Sequence, residues 1–394
     1  MKKIAIYTLF LFSISCTNEV SNDLPDPIKK LENLTVYSID IKPESEIEFI
    51  REQVFTDSDD VLIGNILGIV VDDQGRVFIA DNQQLSILVF DSDGNFITRI
   101  GREGRGPSEF QDISAITANA NRLYIFDETL KRISAFSLES LTLSSTIPMI
   151  SGNVNHKQGV VSRLTRLYAL DDNRVLVQYE ELPLVEQLNG PPTQYRHYYL
   201  NESGELSTDE IMLKTGVEYL ITVTDGDPGR LTASFLKSTL MAVSQMGEIY
   251  TAWSGDFLIK VFDSDGIYLR SIYYPFENST LDQESYIEQL ELNQFMHQLY
   301  QNADYPNTWP ALHYMLVDDE NRLWVSTISS DENNFTWWVL SNGGTLLAKF
   351  KWPGQRLNRF IHNLEVIEVK DGKLYVREES PAGGQAILRY RIEM

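Results

Sequence analysis

The sequence predicts an all-β fold, a six-bladed β-propeller of four-stranded antiparallel blades. Three observations lead there: a strand–turn–strand unit that recurs six times, continuous apolar runs in its second strand, and a last unit that lacks one strand. A repeat of this length is the mark of radial architectures, in which each unit buries its faces against its neighbours.

The second strands are centred on Phe78, Tyr124, Leu176, Tyr250, Trp324 and Tyr375, five of them aromatic. Each is preceded by a turn residue, Gly75, Asn121, Asn173, Gly247, Asn321 or Gly372. Gly and Asn tolerate the positive φ of a tight hairpin. Runs such as Val77-Phe78-Ile79 are apolar at every position rather than at alternate ones, which implies burial on both faces. Third strands follow, and two of them end in Asp-Ser-Asp-Gly, at 91–94 and 263–266. Neither copy continues into the carboxylates of a calcium loop, so both are read as hairpin turns.

Intervals between the six turn residues are 46, 52, 74, 74 and 51 residues. The shorter ones fit near-bare blades and the two of 74 carry insertions. The last unit stops after its third strand, Ala386 to Ile392. The segment Ile47–Ile50 with Val54-Phe55 is expected to supply the missing strand, and an earlier strand, Leu34 to Ile41, is expected to pair beside it. Within the blade four-to-five insertion, Thr280 and Gln283 have capping-box spacing, and Leu292, Phe295, Met296 and Leu299 recur at helical intervals. One helical insertion is expected there, as a lid over the channel or packed on the propeller surface.

Residues 1–15 read as a processing signal: Lys2 and Lys3, then an apolar run from Ile4 to Phe12, then Ser13-Ile14-Ser15-Cys16. Cys16 is the only cysteine. The segment resembles a bacterial lipoprotein signal, which implies that Cys16 is acylated and becomes the mature N-terminus; Ser13 stands where an aliphatic residue is usual. An ordinary secretory signal is the alternative. Residues 16–30 read as a flexible tether and 31–394 as the propeller domain. Membrane contact is then expected through the lipid anchor only, outside the cytoplasm. A net charge of −23 without a cationic run argues against nucleic acid as partner.

The stretch VVDDQGRVFIADNQQLSILVFDSDGNFITRIG, with Gly101 to Phe110 after it, resembles an NHL-type repeat. The whole mature chain resembles the six-bladed propeller lipoproteins of Bacteroidetes. That resemblance implies fold and compartment more than activity, and it implies that loops between blades share one face with the second-to-third connections within blades. The insertions at 180–196, 203–237, 273–310, 329–335 and 379–385 then fall together, as binding loops on a rigid scaffold.

On that face Tyr195, Trp253, Tyr305 and Trp309 are candidate ligand-binding aromatics, with Trp337 beside them. Asp81 and Asp127 end the second strands of blades one and two, as ligand contacts or turn caps. The expected function is a binding propeller, a monomer without cofactor or metal, for a glycan, a peptide or an envelope protein. The alternative is a metal-assisted lyase or hydrolase at the channel mouth, with His313 or His362 as ligand, since some NHL-like propellers are lyases or hydrolases. Unequal registers of the two histidines weigh against it, and no nucleophile elbow, zinc-protease helix or phosphate loop is present.

Overall fold

The computed structural model describes residues 24–58, 61–149, 160–183, 192–201, 203–207, 209–224, 227–290, 292–358, 366–379 and 384–394. Six blades of four antiparallel strands, one of them extended by a fifth, parallel strand, follow one another along the described chain. Their innermost strands are Ile66–Val71, Ile113–Ala118, Val160–Ala169, Thr239–Val243, Leu312–Val317 and Val366–Lys370, which surround a central channel. The second strands are Val77–Asp81, Arg122–Asp127, Val175–Pro183, Ile249–Trp253, Leu323–Thr327 and Lys373–Glu379. Their six central residues are all fully buried or within 2% of it.

Six apolar clusters separate the six blades, one per interface, which explains the unbroken apolar runs. Ile79 faces blade six, beside Phe55, Tyr375 and Ile387. Its neighbours Phe78 and Ala80 face blade two, beside Leu123, Ile125 and Phe136. A strand alternates its side chains between two sheets, and here both sheets are core.

Five of the six expected turn residues have positive φ: Gly75, Asn173, Gly247, Asn321 and Gly372. Asn121 does not. In blade two the turn is held instead by Asn119, whose side-chain oxygen accepts from the N–H groups of Asn121 and Arg122. The two Asp-Ser-Asp-Gly segments are hairpin turns. Asp91 accepts from the N–H groups of Asp93 and Asn95, and Asp263 from those of Asp265 and Ile267.

Closure of the ring joins the two ends of the described chain. Glu48–Phe55 lies antiparallel to Gln385–Glu393, from Glu48 opposite Glu393 to Phe55 opposite Ile387, and completes blade six. The earlier strand departs from expectation. It comprises only Leu34–Val36 and runs parallel to Tyr268–Tyr273, the outer strand of blade four, giving that blade a fifth strand. Leu34 and Val36 there pack with Leu24, Ile28 and Tyr273, an apolar cluster that blade six does not offer. Between the two strands the chain crosses blade five. Tyr37 stacks on Tyr274 at 5.1 Å and donates to the Gly343 carbonyl, while the N–H groups of Glu44 and Ser45 donate to Leu346 and Leu347. One N-terminal strap thus spans three blades. The part of the expected tether within it is docked: α1, Asp26–Lys29, buries Ile28, and Leu24 is buried before it.

The blade four-to-five insertion holds two short helices rather than one, α2 (Gln283–Glu288) and α3 (Gln294–Gln301). Their caps are Asp282, which accepts from Ser285 N–H, and Asn293, which accepts from Met296 N–H. Asp282 takes the role expected of Thr280, which instead bridges to Thr308. Met296 and Leu299 pack on the core while Phe295 stays exposed.

Candidate functional site

The connections between blades and those between second and third strands emerge at one end of the strands, so residues 216–238, 274–311 and 328–333 share a face, whereas 203–211 joins the third and fourth strands of blade three at the opposite end. A joint repeats where second strands reach it. Asn82 N–H donates to Asn65, Glu128 N–H to Asp112, Ser254 N–H to Ser238 and Ile328 N–H to Ala311. In blade one the joint is locked by Asp81, wholly buried, whose carboxylate accepts from the N–H groups of Gly64, Asn65, Gln83 and Gln84. Asp127, equally buried, accepts from Gln111 and Leu130 N–H. Their lone pairs are committed to backbone, so both act as turn caps rather than surface acceptors.

The aromatic candidates divide by environment. Trp309 is 2% exposed and Tyr305 half-buried. With Tyr286 they surround Phe235, at ring separations of 6.4, 4.7 and 4.9 Å. This nucleus welds the insertion before blade four to the insertion before blade five. Tyr286 and Tyr300 add polar ties, to Ser234 and to the Thr232 carbonyl. Trp337 is 4% exposed and stacks on Phe350, within the layer between blades five and six. Trp253 ends its strand half-buried, opposite Thr239, against the turn at Gly255. Tyr195 lies within a strand, Gln194–Leu200, opposite Glu180 and Lys214. The structure therefore does not bring the aromatic candidates together as one exposed stacking surface.

What it does form on this face is a cleft of about 510 Å³ between α2 and blade five. Tyr286 and Trp309 line it, together with Asn278, Ser279, Thr280, Ser285, Gln289 and Ser330. Arg356 lies at 4.6 Å over the Trp309 ring, pairs with Glu332, and has its Nε buried without a partner among the described residues. Asn278 fixes the cleft wall by donating to the Gly255 and Trp309 carbonyls, both at 3.0 Å. Glu277, Asp282 and Glu332 set three carboxylates against the one guanidinium. An anion is disfavoured in such a cleft, whereas a neutral polyhydroxyl ligand finds hydroxyl and amide partners beside aromatic rings. Composition gave no signal for this wall of small polar residues; Trp309 was legible, but as an exposed ring.

His313 stacks on Phe335 with ring centroids 3.9 Å apart, and its Nδ1 lies 3.3 Å from Ser326 Oγ. Cys16, His156 and His362 lie outside the described residues. Among the described residues no three His, Cys, Asp or Glu side chains are grouped to hold a metal. His197 is wholly buried between the Met212 carbonyl and Gln178, and burial holds its pKa down at about 4.

Fold and face together define a six-bladed β-propeller with a capped, cleft-bearing end. Residues 44–156 match a family model described as DUF5128, 6-bladed beta-propeller. The chain is similar in structure to a protein of Bacteroides fragilis NCTC 9343 described as exported, with a TM-score of 0.51 and 15% identity over 92% of this chain and 99% of that one. It is also similar to a member of the DUF4221 family from Bacteroides vulgatus ATCC 8482, with a TM-score of 0.52 and 11% identity over 89% and 99%. At these identities the likeness concerns the fold. Comparison with curated proteins finds no match. No helix among the described residues is long and apolar enough to cross a membrane.

Proposed function

We propose that this chain is a cell-envelope binding propeller, anchored through a lipid on Cys16, that takes a neutral glycan into the cleft between α2 and blade five. The observation that carries the reading is the cleft's lining: hydroxyl and amide side chains beside Trp309 and Tyr286, with a single cation already paired. Sugar hydroxyl groups need paired polar partners, which these hydroxyl and amide side chains supply, while Trp309 and Tyr286, buried behind them, hold the wall in place. A peptide or an envelope protein would use the same face, and a cationic peptide would suit its carboxylates.

Arg356 is the residue to change, since its guanidinium borders the cleft and orients Glu332. Arg356→Gln is expected to lower affinity about tenfold or more for whichever oligosaccharide the wild-type domain selects on a glycan array, with little change in unfolding midpoint. Undiminished binding by that variant, or an array without a selected glycan, would remove the cleft from consideration. The anchor is tested separately. Cys16→Ser is expected to abolish labelling by a radioactive fatty acid and to move the protein from the membrane to the soluble fraction of its cells. A membrane-bound variant counts against the lipid.

A further inference from the structure

The inner strands carry a second cluster, in the channel rather than the cleft. Arg166 stands on the inner strand of blade three and its side chain is exposed, although the strand lies at the centre of the molecule. Its surroundings are hydroxyls: Tyr168 on the same strand, Tyr314 on the inner strand of blade five, and Tyr195. Blades three and five are not adjacent, and Arg166 and Tyr314 stand on inner strands that both border the channel. Tyr314 also neighbours Glu368 of blade six. No carboxylate lies within ion-pair distance of Arg166 among the described residues, while Arg163, three residues earlier, is paired with Glu180 at 2.8 Å. The Tyr168 hydroxyl is buried and has no hydrogen-bond partner of good geometry among the described residues, although the guanidinium is beside it.

Among the described residues the guanidinium, exposed to the channel, has no carboxylate partner, and beside it the buried Tyr168 hydroxyl lacks a partner, which costs stability. A chain of net charge −23 has carboxylates in abundance, yet none of those described closes this site. We propose that the central channel binds a small monocarboxylate, its anionic end taken by the guanidinium fork of Arg166 and by the hydroxyls of Tyr168 and Tyr314. The fork matches a carboxylate in a bidentate manner, and one cation balances one negative charge. Glu368 disfavours a more highly charged ligand. Burial pushes its carboxyl up to about 7, with Asp318 and Asp319 adding to the rise and Lys370 opposing it. The site shares no residue with the cleft and does not rest on the glycan reading.

The test is thermal unfolding of the whole mature domain with sodium glucuronate, with N-acetyl-dialanine, and with glucose plus sodium chloride at matched ionic strength. One or both carboxylates are expected to raise Tm by about 2 °C or more at saturation, while glucose with salt does not. The larger shift tells a sugar acid from a peptide end. Arg166→Gln is expected to lose the shift while its own ligand-free Tm stays close to wild type, since an exposed side chain without an ion pair among the described residues is changed. Tyr168→Phe is expected to fold normally and to weaken binding about fivefold or more; it decides the matter should the Gln variant not fold. A wild-type protein indifferent to both carboxylates would overturn the proposal. So would a shift that survives in Arg166→Gln, or one unchanged in Tyr168→Phe.

Discussion

A chain that starts at residue 57 is expected to lose cooperative folding, although it retains the four antiparallel strands of each of the first five blades and three of the sixth. Without Glu48–Phe55 the strand Gln385–Glu393 has an unpaired edge along its whole length. Two apolar interfaces also open. Phe55, fully buried, packs on Phe90 of blade one at 6.0 Å and on Tyr375 of blade six at 6.4 Å. Phe49 packs edge-on against Phe350 and Trp352 of blade five, at 4.7 and 5.3 Å. The point variant Phe55→Ala alone is expected to cost about 3–5 kcal/mol, the range for emptying a buried aromatic site. The deletion adds an exposed sheet edge, a template for aggregation. Urea unfolding followed by tryptophan fluorescence reads both. A synthetic peptide covering residues 44–58 is expected to restore the sharp transition when added to the truncated chain. A truncated chain with an unchanged midpoint would show that the ring does not depend on this strand.

The second large effect is a pH dependence centred on His197. Its folded pKa of about 4 lies below the value of about 6.5 for an unfolded histidine. Between those values the unfolded chain binds a proton that the folded chain does not, so stability is fully present above about pH 6.5 and is lost as pH falls towards 4. The cause is burial, with Lys214 adding to it and the hydrogen bond to Met212 opposing it. Two and a half pH units correspond to about 3 kcal/mol, most of it gone by pH 4.5. Carboxylates titrate in the same range, so the comparison is with His197→Gln. From pH 7.5 to 4.5 the wild type is expected to lose about 2–3 kcal/mol more than the variant. Equal losses would mean that the imidazolium is accommodated between the Met212 carbonyl and Gln178 Oε1, both at 3.1 Å from the ring.

Much of the architecture was legible because a propeller writes its rules repeatedly. Six turn residues preceded six apolar strands, and a missing strand at one end had a match at the other. The partner of Leu34–Val36 was not legible, because three residues of parallel edge pairing leave no periodicity, and what fixes them is a cluster around Tyr273 more than 230 residues away. Asp81 and Trp309 were visible as residues but not as environments. Whether a strand-end carboxylate meets solvent or four N–H groups depends on the path of the preceding loop. Whether a tryptophan stands free depends on an insertion 70 residues earlier that carries Phe235. The channel cluster did have a signal that went unread, since Arg163 and Arg166 interrupt an inner strand where the other blades have mostly uncharged residues.

The strap has a consequence for the order of events during synthesis. Phe55 leaves the ribosome early, but its partner strand Gln385–Glu393 follows only some 330 residues later. At about 5–20 residues per second that interval is roughly 15 to 65 seconds. Throughout it, blades one to five can form while an amphipathic strand waits unpaired at their flank. A chain delayed near its end would display this segment to chaperones and proteases as an open invitation. Completion of the strand Gln385–Glu393 is therefore the step that closes the ring: once it is made, the segment that leads into blade one is held in the hydrogen-bonded ladder of blade six.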